Sequence, residues 1–499
     1  MANFVGNILT AVVPIVLVPV YVDAMGIAAY ALVGLFTTLL AVFGIFDLGL
    51  ATTLSRELAR STVDDSDGDV VRNLVRTLEL IYWGMALLIG IIVLAGASPI
   101  ASYWLESSTL DASTVHTALL IMGAMAVLQW PFAFYCGGLQ GLQHQVLLNG
   151  LTATMVFVRG VGAVLVLWLV SPTIEAFFLW QLATSGLQTL LARTFLWSRL
   201  PRGSGRTRFD TQTLRRIWKF AAGMSGIAVV QALITQIDRV VASKMLTLEM
   251  LGYYTLGGVV AAALYRFIQP VFVAFFPRFS QLVAARDEDS LVRLYHEGCQ
   301  LVALLVVPVA MVIAFFPGEL LRVWTDRADA VVHAAPVLRF LILGTMLNGI
   351  LTIPSALQFA YGWTRLIALT NAVAILVLVP AIVGLTHYFG PAGAASSWFF
   401  LNVFYTVFLI VVMHRRLLKG QMMRWYVHDV GLPSLVAAAT AGLARWLLPI
   451  ATQRWWLLAE LAGIGLVVLA ATTAAAPAAR RWALGEWRRR SAPVPAPGG

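Results

Sequence analysis

Charge is scarce in this sequence: only 12% of its 499 residues are Asp, Glu, Lys or Arg, against roughly 25% in an ordinary soluble domain. No polar stretch is long enough to fold alone, which takes on the order of 50 residues. The composition therefore excludes a soluble protein, and equally a soluble domain on a membrane anchor. Cysteine is nearly missing as well. Cys136 and Cys299 lie in or beside apolar runs and make neither a zinc spacing nor a disulfide framework, which argues against redox chemistry. The seven histidines, His116, His144, His296, His333, His387, His414 and His428, fall mostly at helix ends or in loops and form no metal-ligand spacing with a nearby Cys or acid. No Gly-rich phosphate loop, hydrolase elbow or deaminase pattern occurs. No catalytic residue, metal site or cofactor is expected.

Apolar length is what the sequence has. Hydrophobic residues make up 60%, and runs of about 20 residues, the length that crosses a bilayer, recur from end to end. Spans are predicted at 4–22, 28–55, 74–97, 115–137, 147–170, 174–197, 217–242, 252–277, 297–317, 335–360, 366–388, 391–413, 430–449 and 455–475. The fold class is thus an all-α polytopic membrane protein of about 14 transmembrane helices. The net charge of +10 invites a nucleic-acid reading, but the basic residues are sorted by side. With a cytoplasmic N-terminus, the inside segments hold 25 of the 34 Lys and Arg and the outside segments five, namely Lys244, Arg322, Arg327, Arg445 and Arg454. This asymmetry is the positive-inside pattern; it sets orientation and gives no ground for nucleic-acid binding. The opening MANFVGNILT has no basic region and no cleavage pattern comes after it, so the first run is expected to be a retained helix.

The one substantial linker, SRLPRGSGRTRFD at 198–210, separates a first six-helix unit from the remainder of the chain. Segment 26–60 aligns weakly with segment 252–286, pairing Gly26 with Gly252, Tyr30 with Tyr254, Asp47 with Gln269 and Arg56 with Arg278. Transporters are often two similar bundles around a path. The expected organisation is an N-lobe of helices 1–6 over 1–197, a cytoplasmic linker over 198–216, a C-lobe of helices 7–12 over 217–414, helices 13–14 over 430–475 and a cytoplasmic tail over 476–499.

Ionisable groups within the spans carry the chemical signal, because each is costly in hydrocarbon unless it meets a partner or water. Arg159 and Arg266 fall near mid-membrane, one in each proposed lobe, with no acid three or four residues away on its own helix. They are candidates for a water-filled cavity, the alternative being an intramembrane salt bridge. Arg56 and Arg278 lie at cytoplasmic helix ends, where snorkelling to the headgroups is the competing reading. Arg239 and Arg339 sit within about two turns of the outer face. Asp47, flanked by Gly44 and Gly49, reads as the best-buried acid: it either takes up a coupling proton or sodium ion or neutralises an arginine. Asp238 is a second acid of this kind. Glu79 reads as interfacial, and Gln129, Gln188, Gln231, Asn348 and Asn371 as interhelical glue. Prolines inside spans, among them Pro131, Pro270 and Pro354, permit bends. Arginines with few matching acids select an anion, and guanidinium suits bidentate capture of phosphate or carboxylate.

Four passages carry a family resemblance: AYALVGLFTTLLAVFGIFDLGLATTLSRELARS, QIDRVVASKMLTLEMLGYYTL, LLRVWTDRADAVVHAAPVLRFLILGTMLNGILTIPSALQFAYGWTR and HYFGPAGAASSWFFLNVFY. Over about residues 1–415 the chain resembles the bacterial O-antigen and polysaccharide flippases of the multidrug, oligosaccharidyl-lipid and polysaccharide exporter superfamily. The resemblance implies two pseudo-symmetric six-helix lobes in a V around a central cationic cavity, plus two C-terminal helices. It implies translocation of an undecaprenyl-diphosphate-linked oligosaccharide from the cytoplasmic to the periplasmic face of the inner membrane, coupled to an H+ or Na+ gradient. Membrane lipids, a polysaccharide polymerase and chain-length proteins are the implied partners. Asp47 and Arg56 fall in the helix-two segment where related flippases have polar residues facing the cavity. Arg266 matches a cationic position on helix eight of the lipid-linked cell-wall precursor flippases, whose arginine-bearing first-helix motif is absent here. A multidrug antiporter of the same superfamily would place acids in the cavity, and the first helix has none before Asp23. A membrane glycan polymerase or ligase would need a sizeable periplasmic loop, which the short outer segments do not supply.

The orientation has a direct check. A Ser204→Cys variant is expected to resist a membrane-impermeant maleimide applied to intact cells and to react after permeabilisation; labelling from outside overturns the assignment.

Overall fold

The computed structural model describes residues 2–47, 49–61, 68–203, 205, 207–211, 234–448, 451 and 453–477. Among these residues helices form and no strand does, beyond one isolated bridge. In hydrocarbon each backbone N–H and C=O has to be satisfied within its own segment, and the helix does this. The chain divides into two compact units, Met1–Thr255 and Leu256–Gly499.

The first unit contains α1 (Ala2–Met25), α2 (Ile27–Phe43), α3 (Leu50–Ser61), α4 (Gly68–Pro99), α5 (Ala112–Gln129), α6 (Phe132–Gly141), α7 (Gln145–Leu169) and α8 (Ile174–Arg199). Helix α9 is described over 234–245, and α10 (Leu248–Ala263) begins in this unit. The expected helix seven, 217–242, lies outside the described residues up to 233; so do parts of the 198–216 linker and the tail beyond 477. The second unit continues with α11 (Tyr265–Ala285), α12 (Glu288–Phe315), α13 (Pro317–Thr325), α14 (Ala328–Ile350), α15 (Thr352–Ala360), α16 (Thr364–Phe404), α17 (Ile410–Leu417), α18 (Met422–Arg424), α19 (Leu432–Leu447) and α20 (Arg454–Ala475). Among the described residues, ten helical stretches are long and apolar enough to cross a bilayer.

Several spans that read as continuous are broken. The expected span 28–55 is α2, a 3₁₀ turn at Gly44–Asp47, and α3; Gly49, at φ 71°, takes a left-handed conformation that a side chain would strain. The expected span 115–137 breaks between α5 and α6 at Trp130 and Pro131. The expected span 335–360 breaks at Leu351, where Pro354 lacks the N–H that the Ile350 carbonyl needs. The expected span 252–277 breaks at Leu264, between α10 and α11. The second and fourth helices of both proposed lobes are therefore interrupted, and their inner halves pair alike: α3 packs on α6, and α11 on α15.

Helix α16 runs 41 residues, about 62 Å at 1.5 Å per residue, twice the roughly 30 Å of hydrocarbon. It breaks at Gly390, whose φ 58° and ψ −140° belong to glycine. Tyr405 Oη donates to Asn371 Oδ1 at 2.8 Å, so the two halves lie side by side, matching the expected spans 366–388 and 391–413.

At the end assigned to the outer face, α4 continues as a π turn, Ile100–Trp104, into a loop held against α9 and α10. Trp104 Nε1 donates to Ser243 Oγ at 3.0 Å, and Leu248 N–H to the Glu106 carbonyl at 2.7 Å. Glu249 Oε1 accepts from Ser107 Oγ (2.9 Å), Ser108 N–H (3.1 Å) and Thr109 Oγ1 (2.8 Å).

The α3–α6 contact is a tight helix pairing in this unit's inner half. A Cβ on Gly137 would sit 2.5 Å from the Ala51 carbonyl oxygen, and one on Gly141 2.5 Å from that of Ser55. Small residues permit this close approach of backbones. Gly141→Ala is expected to destabilise the protein by about 1–3 kcal/mol through overpacking, read as a lower thermal unfolding midpoint in detergent. Gly150→Ala, which meets nothing within 4 Å, is expected to be neutral.

Candidate functional site

Arg159 stands near the middle of α7, half-buried, facing a polar stripe that α8 turns inward. Gln181, Thr184, Ser185, Gln188 and Thr189 are all buried on that stripe, at helical spacings that place them on one side of α8. Arg159 Nη2 donates to Gln188 Oε1 at 2.7 Å and to Ser185 Oγ at 3.3 Å. Ser185 in turn donates to Gln129 Oε1 at 3.4 Å, at the end of α5 beside its break. The guanidinium is thus solvated by neutral oxygens, and its buried Nε has no partner among the described residues. Of its five N–H donors, the two hydrogen bonds engage only Nη2.

The second unit carries a corresponding chain. Tyr265 Oη donates to Asn348 Oδ1 at 3.1 Å, and Asn348 Nδ2 to Asn402 Oδ1 at 2.9 Å. Asn402 Nδ2 then donates to the Trp398 carbonyl at 2.8 Å. Asn348 sits just before the α14–α15 break, as Gln129 sits just before the α5–α6 break. Arg266 adjoins this chain in sequence, in the first turn of α11, with an exposed side chain.

The other sequence candidates are dispersed. Arg56 is exposed and paired with Glu57 at 2.8 Å. Arg278 is exposed and donates to Gln281 Oε1 at 3.0 Å. Arg339 Nε donates to the Ala314 carbonyl at 3.0 Å. Asp238 Oδ2 accepts the Tyr254 hydroxyl hydrogen, while its buried Oδ1 has no partner among the described residues; its neighbour Arg239 is half-buried. Asp47 sits in the 3₁₀ turn, half-buried, where its Oδ1 accepts from Ala51 N–H at 3.3 Å and so caps α3.

Two expectations about acids are corrected. Asp47 is not the best-buried acid, because the helix break exposes it. Glu79, expected at an interface, is 1% exposed. Its Oε1 accepts from Tyr135 Oη (2.8 Å), Arg193 Nε (2.8 Å) and Trp197 Nε1 (3.1 Å), and its Oε2 from Arg76 Nη1 (3.0 Å). These bonds tie α4, α6 and α8 together. The i, i+3 spacing of Arg76 and Glu79 was the available sequence signal. Asp429, at the start of the last helix pair, is buried with His296 and was missed altogether.

Comparison with known proteins places this geometry. The family described as "Polysaccharide biosynthesis protein" matches residues 1–283, more than half of the chain. The chain belongs to this family. A second family, MatE, matches residues 224–383. The chain is 22% identical over 197 residues to a putative O-antigen transporter of Shigella flexneri, a match covering 38% of this chain and 44% of that protein. It thus spans under half the length of this curated relative. Its fold resembles that of the lipid II flippase MurJ in an inward closed conformation, with TM-score 0.72, 14% identity, and coverage of 95% of this chain and 97% of that one. It also resembles an inward-facing multidrug resistance MATE family transporter of the MOP superfamily, with TM-score 0.66, 14% identity, and coverage of 84% and 94%. This member of the polysaccharide biosynthesis family forms helices and no strands among its described residues, ten stretches of which are long and apolar enough to cross a bilayer, and it shares the fold of those two structures.

The cap at Asp47 separates its structural part from any other. Asp47→Asn keeps the acceptor for Ala51 N–H and is expected to match the wild type in folded yield. Asp47→Ala loses it and is expected to lower stability by about 0.5–2 kcal/mol, measured by thermal unfolding of the extracted protein.

Proposed function

We propose that this transporter flips an undecaprenyl-diphosphate-linked oligosaccharide, an O-antigen or other surface polysaccharide repeat unit, from the cytoplasmic to the periplasmic face of the bacterial inner membrane. It works by alternating access, with both termini cytoplasmic. One observation carries the reading: Arg159 is held in mid-helix by Gln188 and Ser185, neutral groups that orient the guanidinium without neutralising it. A cation kept in hydrocarbon with no carboxylate partner among the described residues calls for an anionic guest, and a diphosphate matches its remaining donors in a bidentate mode. Arg266, in the first turn of α11 in the second unit, is the second phosphate contact; Arg56, Arg239, Arg278 and Arg339 line the rest of the route. The family match and the Shigella relative's name support a polysaccharide cargo. A cationic drug, the cargo suggested by the MATE likeness, meets the wrong charge at Arg159.

Coupling to H+ or Na+ falls to Asp47 or Asp238, and a polymerase and chain-length proteins receive the product. Asp47→Asn then loses export while staying folded, and normal export assigns Asp47 to the cap of α3 alone.

The test is surface polysaccharide per folded, extractable transporter. Arg159→Lys keeps the charge and loses the fork, so export falls in part. Arg159→Ala and Arg266→Ala are expected to cost about 2 kcal/mol or more in cargo binding, roughly thirtyfold. Wild-type export per molecule in both alanine variants removes both residues from the site.

A further inference from the structure

His296 and Asp429 form a fully buried acid–base pair in the second unit, 1% and 0% exposed respectively. His296 lies on α12, about two turns from the end that the basic residues assign to the cytoplasm. Asp429 lies in a π-helical segment, Trp425–Gly431, that joins α18 to α19. Such π segments in helical proteins often mark functional positions.

The orientation of the imidazole is the informative feature. Nδ1 faces Asp429 Oδ2, and Nε2 faces Gln421 Oε1 at 3.0 Å. Both ring nitrogens therefore meet oxygen acceptors, an arrangement that only the doubly protonated ring satisfies as a donor at each end. Asp429 is held ready to receive it: Gln300 Nε2 donates to Oδ1 at 2.8 Å. His414, a few ångströms away, shows the contrasting case. Its Nδ1 donates to the Ile410 carbonyl at 2.9 Å, and its Nε2 accepts the Tyr295 hydroxyl at 3.2 Å. The neutral tautomer completes both of those bonds, so His414 needs no extra proton.

We propose that His296, between Asp429 and Gln421, is a proton-binding site that clamps the C-terminal helix pair onto α12. With the proton bound, imidazolium and carboxylate pair, and Gln421 holds the turn between α17 and α18. When the proton leaves from Nε2 to solvent, the Gln421 amide has to turn over to present its NH2 to the ring, and the charge-to-charge part of the His296–Asp429 pairing is lost while the Nδ1–H hydrogen bond stays. The clamp is thus complete at low pH and weakens as pH rises. The other ionisable groups described beside the pair are Tyr295 and Cys299 on α12, His414 on α17 and Tyr426 on the π segment; His414 is already satisfied as a neutral ring. The site shares no residue with those proposed to hold the cargo and does not depend on which cargo the protein carries.

Cys299 reports on the clamp, since it is buried one turn from His296 and contacts Trp425 and Tyr295. In a Cys136→Ser background it is the sole thiol. The full-length protein in detergent is treated with N-ethylmaleimide at a series of pH values. Each rate is divided by that of the denatured protein at the same pH, which removes the thiol's own ionisation. Protection of Cys299 is expected to fall about tenfold or more in a single step as pH rises. His296→Gln and Asp429→Asn should abolish that step. Gln421→Glu, at a half-buried turn, adds a second carboxylate to the imidazolium and should move the step to higher pH. Protection that is flat with pH in the parent, or a step unchanged in His296→Gln, overturns the proposal. Should that variant not fold, a step left unmoved by Gln421→Glu does so equally.

Discussion

A guanidinium placed among apolar helices has to find its solvation in the protein, and the packing of the first unit is arranged around that need. Helix α8 gives up part of its apolar face to present Gln181, Ser185 and Gln188 inward, and α7 and α5 close on it with Arg159 and Gln129. Interhelical hydrogen bonds of this sort contribute roughly 0.6–2 kcal/mol each, enough to position the arginine. A carboxylate in the place of Gln188 would hold it far more strongly and consume its charge. The amide keeps the cation available, at the expense of some packing strength.

The breaks in the helices answer the same need. A helix that crosses hydrocarbon unbroken leaves no backbone group free between its ends. In each proposed lobe the fourth helix breaks beside a proline and carries its bridging amide just before the break, Gln129 in one and Asn348 in the other. The bridged partner is the sixth helix of the lobe in both cases. The two lobes thus repeat a physical device more faithfully than they repeat residues, which is why the alignment of 26–60 with 252–286 is weak.

Architecture is legible in the sequence because bilayer thickness dictates run length, and side-sorted arginines dictate direction. Even the long helix α16 is resolved into two spans by the charge-free length rule and the Gly-Pro pair at 390–391. Breaks within spans are less visible, since a helix interrupted for one turn keeps its hydropathy; Pro131 and Pro354 signal a bend, but Gly44 and Gly49 read equally as sites of close helix approach. Arg159 and Arg266 stand out as charges in apolar runs. Their surroundings do not, because Gln129, Ser185 and Gln188 come from separate helices and their spacing along the chain carries no period. Glu79 and Asp429 escape for the opposite reason. Each lies near a predicted span end, where an exposed acid is ordinary, and only the tertiary packing shows that four donors close on one and a histidine on the other.

The loop after α4 is secured to Glu249 through a single atom. Three donors from consecutive residues converge on Oε1, which offers only about two lone-pair directions, so they share its acceptor capacity. Letting one go leaves two donors, one for each lone-pair direction, with Trp104 still on Ser243 and Leu248 on the Glu106 carbonyl. The clasp therefore has a spare strand: it survives the loss of any one of its threads.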